Sequence, residues 1–161
     1  MKRHFSLFLL AIGFDLYWLL VVMFRERGQL LWLALAILAC ILLPSAYRLY
    51  ALLLAVAGGG LDVLWGLSGL IHFQGAAPLP LWLMALWLMF AAVWTRLTYS
   101  TTLPGWVLAL IATCGGPVAY LAGAQLGAMT FVQPVPVVMG AMAAGWLALM
   151  LAFHILMGKR Q

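Results

Sequence analysis

The sequence predicts an all-α, polytopic membrane protein, folded as a compact bundle of six transmembrane helices with both termini in the cytoplasm. Of its 161 residues, 68% are hydrophobic and only 7% are charged, whereas about a quarter of the residues in a soluble domain carry charge. Six apolar stretches have the length of about 17 to 25 residues that a helix needs to cross a bilayer. The connections between them are short, so the chain is predicted to form a single integral membrane domain over residues 1–161.

The six apolar stretches place helices in order along the chain. They cover about residues 5–24, 29–47, 50–71, 80–96, 105–126 and 137–157. The first follows Met1-Lys2-Arg3-His4, as a signal peptide would, but it is too long for one and ends at Arg25-Glu26-Arg27, so we expect it to be retained. Prolines precede the later helices, because a missing N–H and a fixed φ suit a first turn. These prolines are Pro78 and Pro80, Pro104, and Pro134 and Pro136.

The orientation follows from the positions of lysine and arginine. One side would carry Lys2, Arg3, Arg48, Arg96, Lys159 and Arg160, and the other only Arg25 and Arg27. Because positive residues concentrate in cytoplasmic loops, both termini are expected in the cytoplasm of a bacterial cell, with the chain in the inner membrane. The net charge of +5 is then explained by topology and by attraction to anionic membrane lipids, and we expect no nucleic-acid partner.

The third predicted helix contains a carboxylate that is expensive in a bilayer. Asp62 follows Gly58-Gly59-Gly60 near the middle of the span. An aspartate at a helix centre costs about 2.5 to 3.5 kcal/mol on insertion scales, and each Leu, Ile, Phe or Val offsets roughly 0.3 to 0.6 kcal/mol. Ten such residues lie in this span, so their contribution is largely cancelled. The helix is therefore expected to need neighbours.

The fifth predicted helix carries Gly115-Gly116-Pro117 inside its apolar span. Proline removes one backbone hydrogen bond, which predicts a kink or a local break. Beyond it, Ala119, Gly123 and Gly127 recur at a spacing of four, which favours close approach of another helix. The two glycine-rich stretches do not fit an inverted duplication. We expect the third and fifth helices to pack together with Asp62 and Tyr120 between them.

Two interpretations of the intramembrane carboxyls remain open. A carboxyl in a low-dielectric setting tends to stay protonated, so it can donate a hydrogen bond or carry a proton. On this interpretation the substrate-binding or proton-relay candidates are Asp62, Asp15, Tyr120, Thr113, Gly116 and Pro117, with Tyr17 as a further hydrogen-bonding group. The alternative is that each carboxyl only fastens two helices together.

Candidates for binding an anionic headgroup lie at the predicted cytoplasmic helix ends. They are Arg48, Arg96 and His154, although positive residues at such positions also simply orient a membrane protein. His72 is predicted on the opposite side, and the histidines and acidic residues have no metal-ligand spacing, so we expect no metal and no cofactor. Cys40 and Cys114 fall inside predicted helices and are expected to be apolar packing residues.

Tryptophans are frequent around the fourth helix. Trp87 and Trp94 are seven residues apart. At this spacing they either line an apolar groove for an acyl chain or face the lipid, and lipid-facing packing is the simpler expectation.

Two stretches carry a resemblance to a known family. They are residues 80–91, PLWLMALWLMFA, and residues 115–128, GGPVAYLAGAQLGA. Together with the glycine-rich third helix and the chain length, they resemble the small proteobacterial inner-membrane family catalogued as domain-of-unknown-function family 2878. The resemblance covers nearly the whole chain and implies no particular activity, but it suggests a role in membrane-lipid modification.

These observations lead to an expected function and two alternatives. We expect a protein that binds or moves a lipid-like or amphipathic molecule, with membrane lipids as partners and Asp62 at the polar centre. One alternative is an intramembrane lipid-modifying enzyme, to which Asp62, His154 or Arg96 would contribute. The other is a structural or assembly subunit that forms a homo-oligomer or a hetero-complex through small-residue helix faces.

Overall fold

The computed structural model describes residues 2–75 and 78–158 and is largely helical. Its helices are α1 (Lys2–Phe24), α2 (Gln29–Ile41), α3 (Ser45–Leu67), α4 (Leu81–Ser100), α5 (Gly105–Gln125) and α6 (Val135–Gly158). Two short strands, β1 (Ile71–Phe73) and β2 (Met129–Phe131), form an antiparallel pair that the sequence did not lead us to expect. Apart from this pair, the prediction of an all-α membrane fold is confirmed.

Five segments of the described chain are long and apolar enough to cross a membrane. Four are α3 to α6, and the fifth, Ser6–Ile41, has 36 residues and joins α1 to α2 through a 3-10 turn. The Tyr17 hydroxyl donates a hydrogen bond to the Trp32 carbonyl at 2.8 Å. Fifteen residues of straight helix would separate these groups by about 22 Å, so α2 folds back along α1. The protein is therefore a multi-pass membrane protein.

The boundary between α2 and α3 differs from the prediction. α2 ends at Ile41 and α3 begins at Ser45, whereas the predicted helices ended near residue 47 and began near residue 50. Pro44 explains the difference, because the residue before a proline avoids helical dihedral angles. Arg48 therefore lies in the first turn of α3 and not at the end of the second helix. Its Nε and Nη2 donate to the carbonyls of Leu43 and Ile41 at 3.0 and 2.6 Å.

The chain divides into two compact units, and α3 contributes to both. The first unit comprises Met1–Val56 and Leu81–Thr102. Within it α4 packs against α2 and α1. Trp87 and Trp94 are 5% and 8% exposed and contact the ring of Phe90 between them, with centroid distances of 5.7 and 5.5 Å. The expectation that these tryptophans face lipid is wrong, because α4 directs them into the core of this unit.

The second unit comprises Ala57–Pro80 and Leu103–Gln161. Its closest helix pair is α5 with α6. Gly116 makes this approach possible, because a Cβ atom built there would lie 2.7 Å from Cγ of the Trp146 indole. The helix is continuous from Gly105 to Gln125 through the buried Pro117, so the predicted local break is absent from this segment. Neighbouring helices can support a helix whose proline has removed one backbone bond.

Matching turns lead from α3 and α5 into the two strands. After α3, Gly69 has φ of 71°, Gly69 N–H donates to Gly66 O at 3.2 Å, and Leu70 N–H donates to Trp65 O at 3.0 Å. This pattern is the Schellman motif, in which a glycine in the left-handed region closes the helix end.

The end of α5 repeats this turn 58 residues later in the chain. Gly127 has φ of 73°, its N–H donates to Ala124 O at 3.1 Å, and Ala128 N–H donates to Gly123 O at 2.9 Å. Gly127 therefore lies beyond the helix and does not extend a small-residue face. A Cβ built on Gly123 would lie 3.0 Å from Cε of Met129, so Gly123 packs against the start of β2 within its own unit.

Candidate functional site

The second unit contains a buried carboxyl joined to a buried phenol. The Tyr120 hydroxyl on α5 donates a hydrogen bond to Asp62 Oδ1 on α3 at 2.5 Å. Asp62 is 0% exposed and Tyr120 is 7% exposed. The expectation that these two side chains meet between the third and fifth helices is confirmed.

The pair lies nearer to the helix ends than the sequence suggested. Asp62 precedes the end of α3 at Leu67 by five residues, and Tyr120 precedes the end of α5 at Gln125 by five residues. At 1.5 Å per residue, each is about 7.5 Å from its helix end. Asp62 was expected near the middle of its helix, but α3 begins and ends earlier than predicted. The cost of a carboxyl is largest at the bilayer centre. The insertion cost of about 2.5 to 3.5 kcal/mol is therefore an upper bound for Asp62.

Aromatic rings surround the phenol. The ring of Trp65 meets Tyr120 edge to face at a centroid distance of 5.7 Å and an interplanar angle of 89°. The ring of Phe73, on β1, lies 6.5 Å from Tyr120 at 60°. Trp65 is itself held against α6, because a Cβ built on Gly145 would lie 2.6 Å from its Cζ2. These rings restrict the Tyr120 side chain and help to bury its hydrogen bond.

The strand pair joins the ends of α3 and α5 next to this site. His72 pairs with Thr130, and Ile71 and Phe73 pair with Phe131 and Met129 on either side. Ile71 and Phe73 are buried while His72 is exposed, so one face of β1 packs inward and the other is open. The pairing fixes the separation between the ends of α3 and α5. Because Asp62 and Tyr120 lie near these ends, the pairing helps to hold them together.

Three of the other candidates also lie on α5. The Thr113 hydroxyl donates to the Ala109 carbonyl of its own helix at 2.7 Å. It precedes Tyr120 by seven residues, a rise of about 10 Å. Gly116 and Pro117 are buried, and Gly116 lies against Trp146. Gly116 therefore shapes the α5–α6 interface.

The headgroup candidates do not form one cluster. Within the second unit, the His154 side chain packs against Gly105, where a built Cβ would lie 3.1 Å from His154 Cβ. Gly105 precedes Tyr120 by fifteen residues, or about 22 Å of helix. His154 is therefore too distant from Asp62 to share an acid–base reaction with it.

The two arginine candidates belong to the first unit. Arg48 is engaged with the carbonyls at the end of α2, where a cation interacts favourably with the helix dipole. Arg96 is exposed, and its guanidinium carbon lies 6.0 Å from the centre of the Tyr99 ring. Tyr99 stacks on Tyr47 at 4.5 Å and 11°, so Arg96 borders an aromatic pair.

Asp15 is placed differently from Asp62. It is exposed on α1, so the two carboxyls have opposite surroundings within their units. Among the residues that the structure describes, no group of three or more His, Cys, Asp or Glu side chains could hold a metal ion.

A known family matches most of the chain. The family described as Protein of unknown function (DUF2878) matches residues 7–152. The chain belongs to this family. The match includes α3, α5 and both strands, so the Asp62–Tyr120 pair lies within the part that the family covers. Comparisons with curated proteins and with solved structures find no match.

Sequence reasoning missed the contribution of Trp65, Phe73 and the strand pair. The available signals were the alternation of apolar and polar residues in Ile71-His72-Phe73 and Met129-Thr130-Phe131, each two residues after a glycine. Three residues are too few for such alternation to stand out within strongly apolar surroundings.

Proposed function

We propose that this protein binds or moves a lipid-like or other amphipathic molecule in the bacterial inner membrane. In this proposal all six helices cross the membrane and both termini are cytoplasmic. The distribution of lysine and arginine supports that orientation. The polar centre is the Asp62–Tyr120 pair.

The observation that carries the proposal is the buried carboxyl–phenol hydrogen bond within an apolar, aromatic surrounding. Ligand sites in proteins are predominantly apolar with a few placed polar groups. Intramembrane carboxyls that face the protein interior commonly mark substrate or ion pathways. A hydroxyl or amide on an amphipathic molecule would replace the Tyr120 hydroxyl as the partner of Asp62, while its chain would lie among the surrounding apolar side chains.

The test uses purified protein in nanodiscs of bacterial lipid extract. Lipids retained by the protein are identified and quantified by native mass spectrometry for the wild type, Asp62→Asn and Tyr120→Phe. Replacing the carboxyl by an amide in Asp62→Asn is expected to weaken retention of a specific lipid about tenfold. Tyr120→Phe leaves the carboxyl open to the ligand, so this variant should retain the lipid at least as well as the wild type. Thr113→Val is the matched control, because Thr113 is on the same helix but bonds only within it in the structure, and it should retain the lipid normally.

Melting curves separate binding from folding. If Asp62→Asn keeps both the wild-type melting temperature and full lipid retention, the proposal should be abandoned.

A structural or assembly subunit is the second candidate. The same hydrogen bond ties α3 to α5, and this alone could account for the carboxyl. In that case Asp62→Asn lowers the melting temperature, while the lipids retained by the remaining folded protein are unchanged.

An intramembrane enzyme is the third candidate. Analysis of lipids from a deletion strain tests it, because a modification restored only by chains with intact Asp62 would favour catalysis. The separation of His154 from Asp62 argues against an acid–base pair formed by these two residues.

A further inference from the structure

Asp15 is an exposed carboxyl in the middle of an apolar helix. It lies ten residues after Phe5 and nine before Phe24 in α1, so each end of the apolar segment is about 13 to 15 Å away. An aspartate side chain is too short to reach the membrane surface over that distance. Asp15 has no hydrogen bond or ion pair with any residue that the structure describes.

The surface around Asp15 is apolar and open. Successive helix residues turn by about 100°, which places Phe8, Ala11, Ile12 and Leu19 within about 60° of Asp15. All four side chains are exposed, and the exposed fractions of Phe8, Ile12 and Leu19 are 61%, 47% and 38%. Ala11 lies one turn before Asp15, and its small side chain allows another helix to approach closely. This surface, residues 8, 11, 12, 15 and 19, is called the α1 face below.

We propose that the α1 face docks against the α1 face of a second copy of the chain, with Asp15 of each copy bonded to the other. A carboxyl at this depth in the bilayer requires a hydrogen-bonding partner at the same depth. A second copy inserted in the same orientation supplies one, since its own Asp15 lies at that level. Two carboxyls complement each other when they share a proton, because the protonated one donates and the other accepts. The arrangement is isologous, as a twofold dimer requires.

The first test measures association in lipid. Fluorophore-labelled protein is reconstituted in liposomes over a range of protein-to-lipid ratios, and copies per particle are counted by single-molecule photobleaching. The wild type is expected to dimerise. Asp15→Leu should weaken dimerisation between about 3-fold and 30-fold, the range of one interhelical hydrogen bond in a membrane. Asp15→Asn retains a donor and an acceptor and should dimerise like the wild type.

The second test locates the interface while keeping Asp15. In a chain with Cys40→Ala and Cys114→Ala, single cysteines are introduced as Ala11→Cys, Leu19→Cys or Leu9→Cys. The first two positions lie on the α1 face, whereas Leu9 is exposed but about 120° away from Asp15. Oxidation should link copies through positions 11 and 19 several times faster than through position 9. Adding Asp15→Leu should slow the linking.

Each alternative outcome overturns the proposal. These outcomes are a wild type that is monomeric at every ratio, an Asp15→Leu chain that dimerises as tightly as the wild type, and faster linking through position 9 than through 11 or 19. Leucine is well tolerated on an exposed face in lipid, and an unchanged circular dichroism spectrum of Asp15→Leu confirms that the variant is folded. Lipid retention at Asp62 is measured independently, so either proposal can fail alone.

Discussion

Replacing Tyr120 by phenylalanine removes one oxygen atom from the interior of the second unit. Because Asp62 is 0% exposed, water cannot readily replace the lost donor. Removing the donor to a buried acceptor oxygen costs about 1 to 3 kcal/mol. Interhelical hydrogen bonds in membranes average about 0.6 kcal/mol and reach about 1.7 kcal/mol. We therefore expect Tyr120→Phe to lower the free energy of unfolding by about 1 to 1.7 kcal/mol, the overlap of these ranges.

Reversible unfolding in mixed micelles, followed by circular dichroism, measures this loss. A double-mutant cycle with Asp62→Leu isolates the coupling between the two side chains. Tyr17→Phe is the matched control, because the Tyr17 hydroxyl is also buried but donates to a backbone carbonyl, and its removal should show no coupling with Asp62→Leu. A coupling energy between Tyr120 and Asp62 near zero would refute the argument that their hydrogen bond stabilises the unit.

Two further predictions concern glycines. Gly116→Leu should lower the free energy of unfolding by about 1 to 3 kcal/mol, because the new side chain overlaps the Trp146 indole; Gly115→Leu, at an exposed position with open space around it, should change it by less than about 0.5 kcal/mol. Gly127→Ala should cost about 1 to 2 kcal/mol because its φ of 73° is strained for any residue with a Cβ, and a measured gain in stability would contradict the assigned turn. The same micelle assay measures all three variants.

The all-α membrane fold and the meeting of Asp62 with Tyr120 could be predicted from the sequence. Both depend on strong local signals: uninterrupted apolar length, and polar groups that are costly anywhere except beside each other. The orientation of Trp87 and Trp94 could not be predicted. In a membrane the lipid-facing and inward-facing sides of a helix are both apolar, so hydropathy does not distinguish them.

Helix ends were also difficult to predict within apolar sequence. Pro44 ends α2 early, and Gly69 and Gly127 end α3 and α5 by hydrogen bonds that depend on a left-handed backbone. These displaced boundaries moved Arg48 from one helix to the next and Asp62 towards a helix end. Residue type therefore singled out Asp62 and Tyr120, while their depth along the helices depended on backbone geometry.

The recurrence of one turn at a spacing of 58 residues has a consequence for the origin of the polar pair. Strand pairing is symmetric about His72 and Thr130. Asp62 and Tyr120 occupy equivalent positions in the two helix–turn–strand arms, α3 to β1 and α5 to β2. Each arm delivers its side chain to the same point by the same backbone path. One arm supplies an acceptor and the other a donor, so the local frame is nearly twofold while its chemistry is directional. A small local repeat can thus place two different side chains, one donor and one acceptor, at equivalent positions.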